Sequence, residues 1–240
     1  ATLDLLLRHT NEIKRSPEHL RALEILYNGE VVKTDRHVGE LIDALEATGR
    51  LDNSIVIITA DHGQALGESG RMGHGPILWE EVLHVPLIIA DMRNPEGRRV
   101  ETTVGLNDLT PTILAYAGTE ADWRVQARNL KPAVEGKELE PSTYYAEVEL
   151  KKDAGPWFDK DQIAVYDNRF KLVYSPDDMA LYDLSRDPMA ENPVDRSAHS
   201  AQIDYLSGLA QDYLSTATNS READLSEEDL ETLRSLGYIQ

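Results

Sequence analysis

The chain has 240 residues, no cysteine, and 43 acidic against 24 basic side chains, which gives a formal net charge of −19. Such a negative chain repels nucleic-acid phosphates and anionic lipid surfaces, so we expect neither nucleic acid nor a membrane as a partner. Without cysteine, these residues can form no disulfide, thiolate metal ligand or cysteine nucleophile. With 41% apolar residues, the chain can build a substantial hydrophobic core.

The first part of the sequence alternates between helix and strand patterns. Ser16 and Pro17 are typical of a helix start, and apolar residues at three- and four-residue steps predict a helix over residues 17–48. Its predicted buried face consists of Leu20, Leu23, Tyr27, Val31, Val38, Leu41 and Leu45. The apolar run 55–59 predicts a central, parallel strand covered on both faces, and a second strand follows at 85–90.

The pattern changes in the second part of the sequence. A predicted helix at 110–116 completes an alternation typical of doubly wound α/β folds. Residues 142–149 and 162–174 instead alternate apolar and polar side chains, and the second segment folds back at residues 167–169. This alternation predicts a small antiparallel sheet, followed by a helical tail at 199–214.

These patterns divide the sequence into two parts. We expect residues 1–140 to belong to an α/β domain, with residues 119–141 as a linker or surface excursion. Residues 141–240 are expected to form a C-terminal α+β subdomain. A capping box at Ser226 and Asp229 predicts a terminal helix.

The candidate chemical groups follow the strand predicted at residues 55–59. Ligands of open α/β sheets gather beyond the carboxyl ends of strands, and Asp61 and His62 occupy that place. A carboxylate and an imidazole can bind calcium, magnesium or zinc, although both residues could equally serve as loop and hydrogen-bonding residues. His74 stands between two glycines and could face an anionic substrate or lie on the surface. In so acidic a chain, pairs such as Glu80-Glu81 are predicted to be solvated.

Four motifs occur in order along the chain. They are Ile57-Ile58-Thr59-Ala60-Asp61-His62-Gly63, Leu106-Asn107-Asp108-Leu109-Thr110-Pro111-Thr112, Leu181-Tyr182-Asp183-Leu184 with Asp187-Pro188, and Leu236-Gly237-Tyr238. Together they resemble the C-terminal portion of the sulfatase family, in the alkaline phosphatase superfamily, and its bacterial members in particular. The resemblance implies the C-terminal half of an alkaline-phosphatase-like doubly wound sheet, plus a small antiparallel-sheet subdomain with a terminal helix. It also favours a periplasmic or extracellular location.

The resemblance assigns roles to the three candidate residues. Asp61 and His62 would bind one divalent cation, calcium in most sulfatases, and His74 would contact the sulfate ester. His62 stands where many relatives have asparagine, which allows a different metal or a two-metal phosphoesterase. A sulfated small molecule or glycan is the expected substrate of the intact enzyme.

The nucleophile of the family is a formylglycine made from a Cys-x-Pro-x-Arg or Ser-x-Pro-x-Arg element, and neither element occurs in these residues. The resemblance places the nucleophile, together with the first pair of carboxylate ligands, in an N-terminal half. Attack by the hydrated formylglycine on sulfur is the expected mechanism. We therefore expect no turnover by this chain alone, and a missing N-terminal chain as a possible partner.

Two other functions are compatible with the same motifs. The chain could be part of a metal-dependent phosphoester hydrolase or transferase of the same superfamily, with a serine or threonine nucleophile and two metals. It could also be a non-catalytic sulfatase-like domain that binds a sulfated or otherwise anionic partner.

Overall fold

The computed structural model describes residues 16–67, 72–74, 77–94, 96–119, 127–148 and 162–220 of the chain. The described residues up to Asp195 and those from Arg196 onward form two compact units. The predicted division at residue 140 stays a prediction. The elements in chain order are α1 (Pro17–Ala47), β1 (Ile55–Thr59), β2 (Ala65–Leu66), β3 (Met72–Gly73), α2 (Glu80–Leu83), β4 (Leu87–Asp91), α3 (Leu109–Ala117), α4 (Lys131–Val134), β5 (Tyr144–Val148), β6 (Gln162–Tyr166), β7 (Phe170–Ser175), β8 (Asp178–Asp183) and α5 (Ser200–Ser220).

Helix α1 begins at the predicted residue and ends one residue before the predicted end, but its predicted buried face is incomplete. Leu23 is buried, whereas Val31 and Leu41 are 51% and 59% exposed. In the last turns the predicted positions Val38 and Leu45 are half-buried, and Ile42 is half-buried in place of Leu41. Helical spacing places a side chain on one side of a helix, but the side chain is buried only if another element packs against that turn of the helix. A helix of 31 residues is about 46 Å long, so short neighbouring elements can cover only part of its length.

Strands β1 and β4 form a two-stranded sheet in antiparallel register, with Ile57 opposite Ile89. The prediction of a parallel strand is therefore wrong for the neighbour that β1 has here. An apolar run indicates burial but not the direction of the neighbouring strand. The expected cover on both faces is also wrong, because β1 is only half-buried and Ile88 of β4 is 55% exposed.

The predicted antiparallel sheet is confirmed, and it has four strands in the order β5-β6-β7-β8. The turn between β6 and β7 includes Asn168 at φ 76°, a left-handed conformation that asparagine tolerates better than most residues. Strand β8 was not predicted. The fully buried apolar residues of the sheet are Ile163, Ala164, Val165, Leu172 and Leu181.

Helix α3 confirms the helix predicted at 110–116, whereas the linker predicted over 119–141 is wrong for its described part. That part contains helix α4, and Leu130 and Ala133 are 3% and 5% exposed. The Leu130 N–H donates to the hydroxyl of Thr112 at 2.8 Å, which ties the segment to α3. Short apolar stretches without a clear period give no sequence signal for such packing.

The second unit contains helix α5, which is longer than the tail helix predicted at 199–214. Its buried positions Ile203, Leu206 and Ala210 follow the helical spacing. The helix predicted from Ser226 and Asp229 lies outside the described residues. Among the helices of the described ranges, none has the length and apolarity needed to cross a membrane.

Candidate metal-binding site

Asp61 and His62 directly follow the carboxyl end of β1, as predicted. The Asp61 side chain is 90% exposed, and its Oδ1 accepts the His62 backbone N–H at 3.0 Å. The His62 Nδ1 lies 2.9 Å from the Gly63 carbonyl oxygen. Because a carbonyl only accepts hydrogen bonds, Nδ1 carries the proton and the Nε2 lone pair is left to bind a ligand.

These two side chains fit part of a coordination shell for a divalent cation. His62 Nε2 and Asp61 Oδ2 are 3.8 Å apart, so both can reach one ion at ligand distances of about 2.0–2.6 Å. Within the part of the chain that the structure describes, no group of three or more histidine, aspartate or glutamate side chains could hold a metal ion. The donor chemistry therefore fits two ligands, and a complete shell needs others.

The structure brings His74 next to His62. Their imidazole rings stack with centroids 4.3 Å apart and planes inclined by 22°. The antiparallel pair β2–β3, which was not predicted, folds the glycine-rich loop so that these rings meet. Gly73 in β3 has a φ of 93°, which explains why glycine precedes His74. The glycine spacing was the available signal for this hairpin.

A small apolar cluster supports the loop that carries Asp61 and His62. It consists of Ala65, Ile77 and Val82, with Trp79 packed against them. The Gly63 N–H donates to the Val82 carbonyl at 2.7 Å. A Cβ at Gly63 would lie 2.1 Å from the Glu81 carbonyl oxygen, so only glycine allows this approach.

A buried ion pair adjoins this cluster. Lys171 Nζ donates to Glu80 Oε1 and to the Leu78 carbonyl, each at 2.6 Å, and the Tyr166 hydroxyl donates to the same Glu80 oxygen at 2.7 Å. Lys171 is 1% and Glu80 5% exposed, so the prediction of a solvated Glu80 is wrong. Burial lowers the pKa of Lys171 while the Glu80 charge opposes that shift. Burial and the same charge raise the pKa of Tyr166.

A second buried polar network joins the start of α3 to β5. The carboxylate of Asp108 is fully buried and accepts the Gly105 N–H at 3.2 Å, the Arg128 N–H at 2.9 Å and the Tyr144 hydroxyl at 2.5 Å. The Arg128 guanidinium donates to the Tyr144 oxygen at 2.8 Å. Burial, with the hydrogen bond to Asp108, raises the pKa of Tyr144 to about 12. With donors on both carboxylate oxygens, this network holds the fold together rather than offering a reactive group.

Known proteins match the segment that carries the candidate site. The family model described as Sulfatase matches residues 22–119, which include Asp61, His62 and His74. The N-acetylglucosamine-6-O-sulfatase of Bacteroides thetaiotaomicron is 29% identical over 177 residues, which are 70% of this chain and 31% of that protein. Together, the family model and the curated relatives support a sulfatase-family protein. The chain spans about a third of the length of this curated relative, and members of the family are generally metal-dependent.

Solved structures confirm the alkaline-phosphatase-like fold of this chain. A 2-O GAG sulfatase superposes with a TM-score of 0.77 at 19% identity, over 92% of this chain and 48% of that one. The phosphonate monoester hydrolase of Agrobacterium radiobacter superposes with a TM-score of 0.69 at 25% identity, over 90% of this chain and 46% of that one. The chain therefore corresponds to about half of each solved chain. The roles of Asp61, His62 and His74 stay predictions.

Proposed function

We propose that this chain is the C-terminal part of a metal-dependent sulfatase that hydrolyses a sulfate ester. The observation that carries the proposal is the position of Asp61 and His62 at the carboxyl end of β1, within the segment that matches the sulfatase model. The ends of strands are where α/β sheets bind ligands. The proposed site therefore agrees with both the family match and the local geometry.

In this proposal Asp61 Oδ2 and His62 Nε2 bind the cation. The hydrogen bond from His62 Nδ1 to the Gly63 carbonyl keeps the ring in the tautomer that presents Nε2, as a hydrogen bond from the other ring nitrogen does in metal-bound histidines. When bound, the cation supplies positive charge for the sulfate oxygens. Calcium is the metal that the family resemblance favours, whereas the imidazole ligand suits a borderline metal such as zinc.

His74 is proposed to contact the sulfate group. Its ring lies against His62, so a ligand bound at Nε2 of His62 is close to the His74 ring. An imidazole that donates a hydrogen bond there would stabilise negative charge on the ester oxygens. The nucleophile and the other metal ligands are proposed to come from residues beyond this sequence, since the chain spans about a third of its curated relative.

A sulfated sugar is the substrate class that we propose. The similar proteins include an N-acetylglucosamine-6-O-sulfatase and a 2-O GAG sulfatase, and both names refer to sulfated sugars. The phosphonate monoester hydrolase at 25% identity supports a second candidate function, hydrolysis of phosphorus esters. A complete protein containing this sequence distinguishes the two candidates by its rates on 4-nitrophenyl sulfate and on a phenyl phosphonate ester.

Calorimetric titration of the chain with Ca²⁺, Mn²⁺ and Zn²⁺ tests the site directly. Asp61→Asn should weaken binding by at least about tenfold. Because a chain of net charge −19 attracts cations at many places, Asp52→Asn at another exposed position is the matched control. Equal losses in the two variants would mean non-specific binding and would refute the site.

A further inference from the structure

One lysine joins the C-terminal sheet to the segment before β4. Lys171 of β7 is 93 residues from Leu78 in sequence, yet its ammonium group donates to the Leu78 carbonyl at 2.6 Å. The same group donates to the Glu80 carboxylate at 2.6 Å, and Tyr166 of β6 donates to that carboxylate at 2.7 Å. Two neighbouring strands thus hold residues 78–80.

That segment in turn fixes the backbone beside His62. The Val82 carbonyl accepts the Gly63 N–H at 2.7 Å, and Gly63 packs so closely on Glu81 that a Cβ would lie 2.1 Å from the Glu81 carbonyl oxygen. The Gly63 carbonyl accepts the Nδ1–H of the His62 ring at 2.9 Å. A displacement of Val82 therefore moves the hydrogen bond that orients the ring.

We propose that Lys171, acting through Glu80 and with Tyr166, is a positioning residue for the imidazole pair of His62 and His74. It holds residues 78–83 at the place where the Gly63 carbonyl fixes the His62 ring against His74. The relevance of this arrangement to catalysis rests on the function proposed above, whereas the arrangement itself does not. The C-terminal sheet is then part of the construction of the site.

The chemistry of the contact explains why a charged pair occupies this place. Buried ion pairs often stabilise a protein no more than apolar side chains of similar volume. The ammonium group, however, has several directed donors, and it uses two of them on the Leu78 carbonyl and Glu80. It also lies 5.4 Å from the centre of the Tyr166 ring. These contacts set distance and direction, which an apolar side chain cannot do.

NMR spectra of the histidine-labelled chain test the proposal. Stacked imidazoles shift each other's carbon-bound protons upfield, and His62→Gln and His74→Gln assign these signals. The test variant is Glu80→Gln/Lys171→Met. It removes both charges together, so that no unpaired charge is left buried, and the introduced glutamine side chain still accepts a hydrogen bond from Tyr166. We expect this variant to fold and to lose most of the upfield shift of both rings.

Two further variants make the result decisive. Asp183→Asn breaks the ion pair of Arg169 and Asp183 in the same sheet, and it should lower the melting temperature with the ring shifts unchanged. Tyr166→Phe removes only the hydroxyl that donates to Glu80, so it should reduce the upfield ring shifts in part. This variant tests the proposal if the double variant does not fold.

Wild-type shifts in the folded double variant would overturn the proposal, and so would unchanged shifts in Tyr166→Phe when the double variant is unfolded. The absence of mutual shifts in the wild-type chain would also overturn it. The readout needs no metal, so a failure of Asp61-dependent metal binding would count against the proposed function only.

Discussion

The imidazole rings of His62 and His74 stack at a centroid distance of 4.3 Å, although a glycine-rich loop separates the two residues in sequence. The loop closes through the paired segments Ala65–Leu66 and Met72–Gly73. His62 is thereby held on two sides, by the His74 ring and by the Gly63 carbonyl that accepts its Nδ1–H at 2.9 Å. The geometry of the proposed metal ligand thus depends on residues that do not bind the metal.

We expect His74→Ala to weaken metal binding by about tenfold, because His62 loses the ring that restricts its orientation. His62→Ala should abolish specific binding, since it removes a ligand. Calorimetric titration with the metal that binds the wild-type chain most tightly measures both effects. His37→Ala, on the exposed surface of α1, is the control and should leave the affinity unchanged. An unchanged affinity in His74→Ala would show that the stack does not orient the ligand.

Gly63→Ala should damage the site without touching a ligand. The added Cβ would lie 2.1 Å from the backbone carbonyl of Glu81, so the loop must shift. We expect a loss of about 1–3 kcal/mol in the free energy of unfolding and weaker metal binding. Gly39→Ala is the matched control, because a Cβ there meets nothing within 4 Å and alanine favours the helix interior by about 0.5–1 kcal/mol. Chemical unfolding that ranks these two variants equally would contradict the close approach at Gly63.

Periodicity predicted where most elements of the fold lie but not which elements meet. Strand β1 has the predicted bounds and helix α1 differs from its predicted bounds by one residue, because capping residues and apolar runs are local signals. The direction of β4 beside β1 and the exposure of Val31 depend on distant parts of the chain. Local patterns carry no information about such neighbours, and both expectations failed for that reason.

For the candidate site, too, the sequence predicted positions along the chain but not contacts between distant residues. Asp61 and His62 could be placed from the sequence because they follow a strand. The pair of Lys171 and Glu80 could not, since its members are 91 residues apart and the acidic composition argued for solvated carboxylates. A lysine within the apolar strand β7 was the one local sign, because a lysine in the interior of a protein needs a partner.

The hydrogen bonds of the Asp183 carboxylate should make the folded state less stable in acid. Its carboxylate accepts from the Arg169 guanidinium at 2.7 Å and the Ser185 hydroxyl at 2.5 Å, and these bonds hold its pKa below the usual range. The stabilisation is therefore complete above pH 4 or so, the usual carboxyl pKa, and is lost as the pH falls through the lower value of the folded state. Asp183→Asn should reduce this acid dependence. Urea unfolding between pH 7 and pH 3 measures the difference between variant and wild type, and parallel profiles would refute it.

The hydroxyl of Tyr144 should matter more than that of an exposed tyrosine. It donates to the buried Asp108 carboxylate at 2.5 Å, and the Arg128 guanidinium donates to it at 2.8 Å. Tyr144→Phe leaves both partners with an unmet hydrogen bond, so we expect a loss of about 1–3 kcal/mol in the free energy of unfolding. Tyr205→Phe, at a position that is 56% exposed, should change it by less than about 0.5 kcal/mol.

The network of Asp108, Arg128 and Tyr144 should also make the stability of the fold depend on pH in alkaline solution. Burial and Asp108 raise the pKa of Tyr144 to about 12, whereas an unfolded tyrosine ionises near pH 10 or so. Since the folded state favours the neutral phenol, this stabilisation is complete below the unfolded pKa and is lost as the pH rises through the folded value. The absorbance of tyrosinate near 295 nm should therefore show a late phase from the buried tyrosines, and Tyr144→Phe should reduce its amplitude by the share of one tyrosine. A late phase of unchanged amplitude in Tyr144→Phe would refute the prediction, since the rest of that phase belongs to Tyr116, Tyr166 and Tyr182, whose pKa burial also raises.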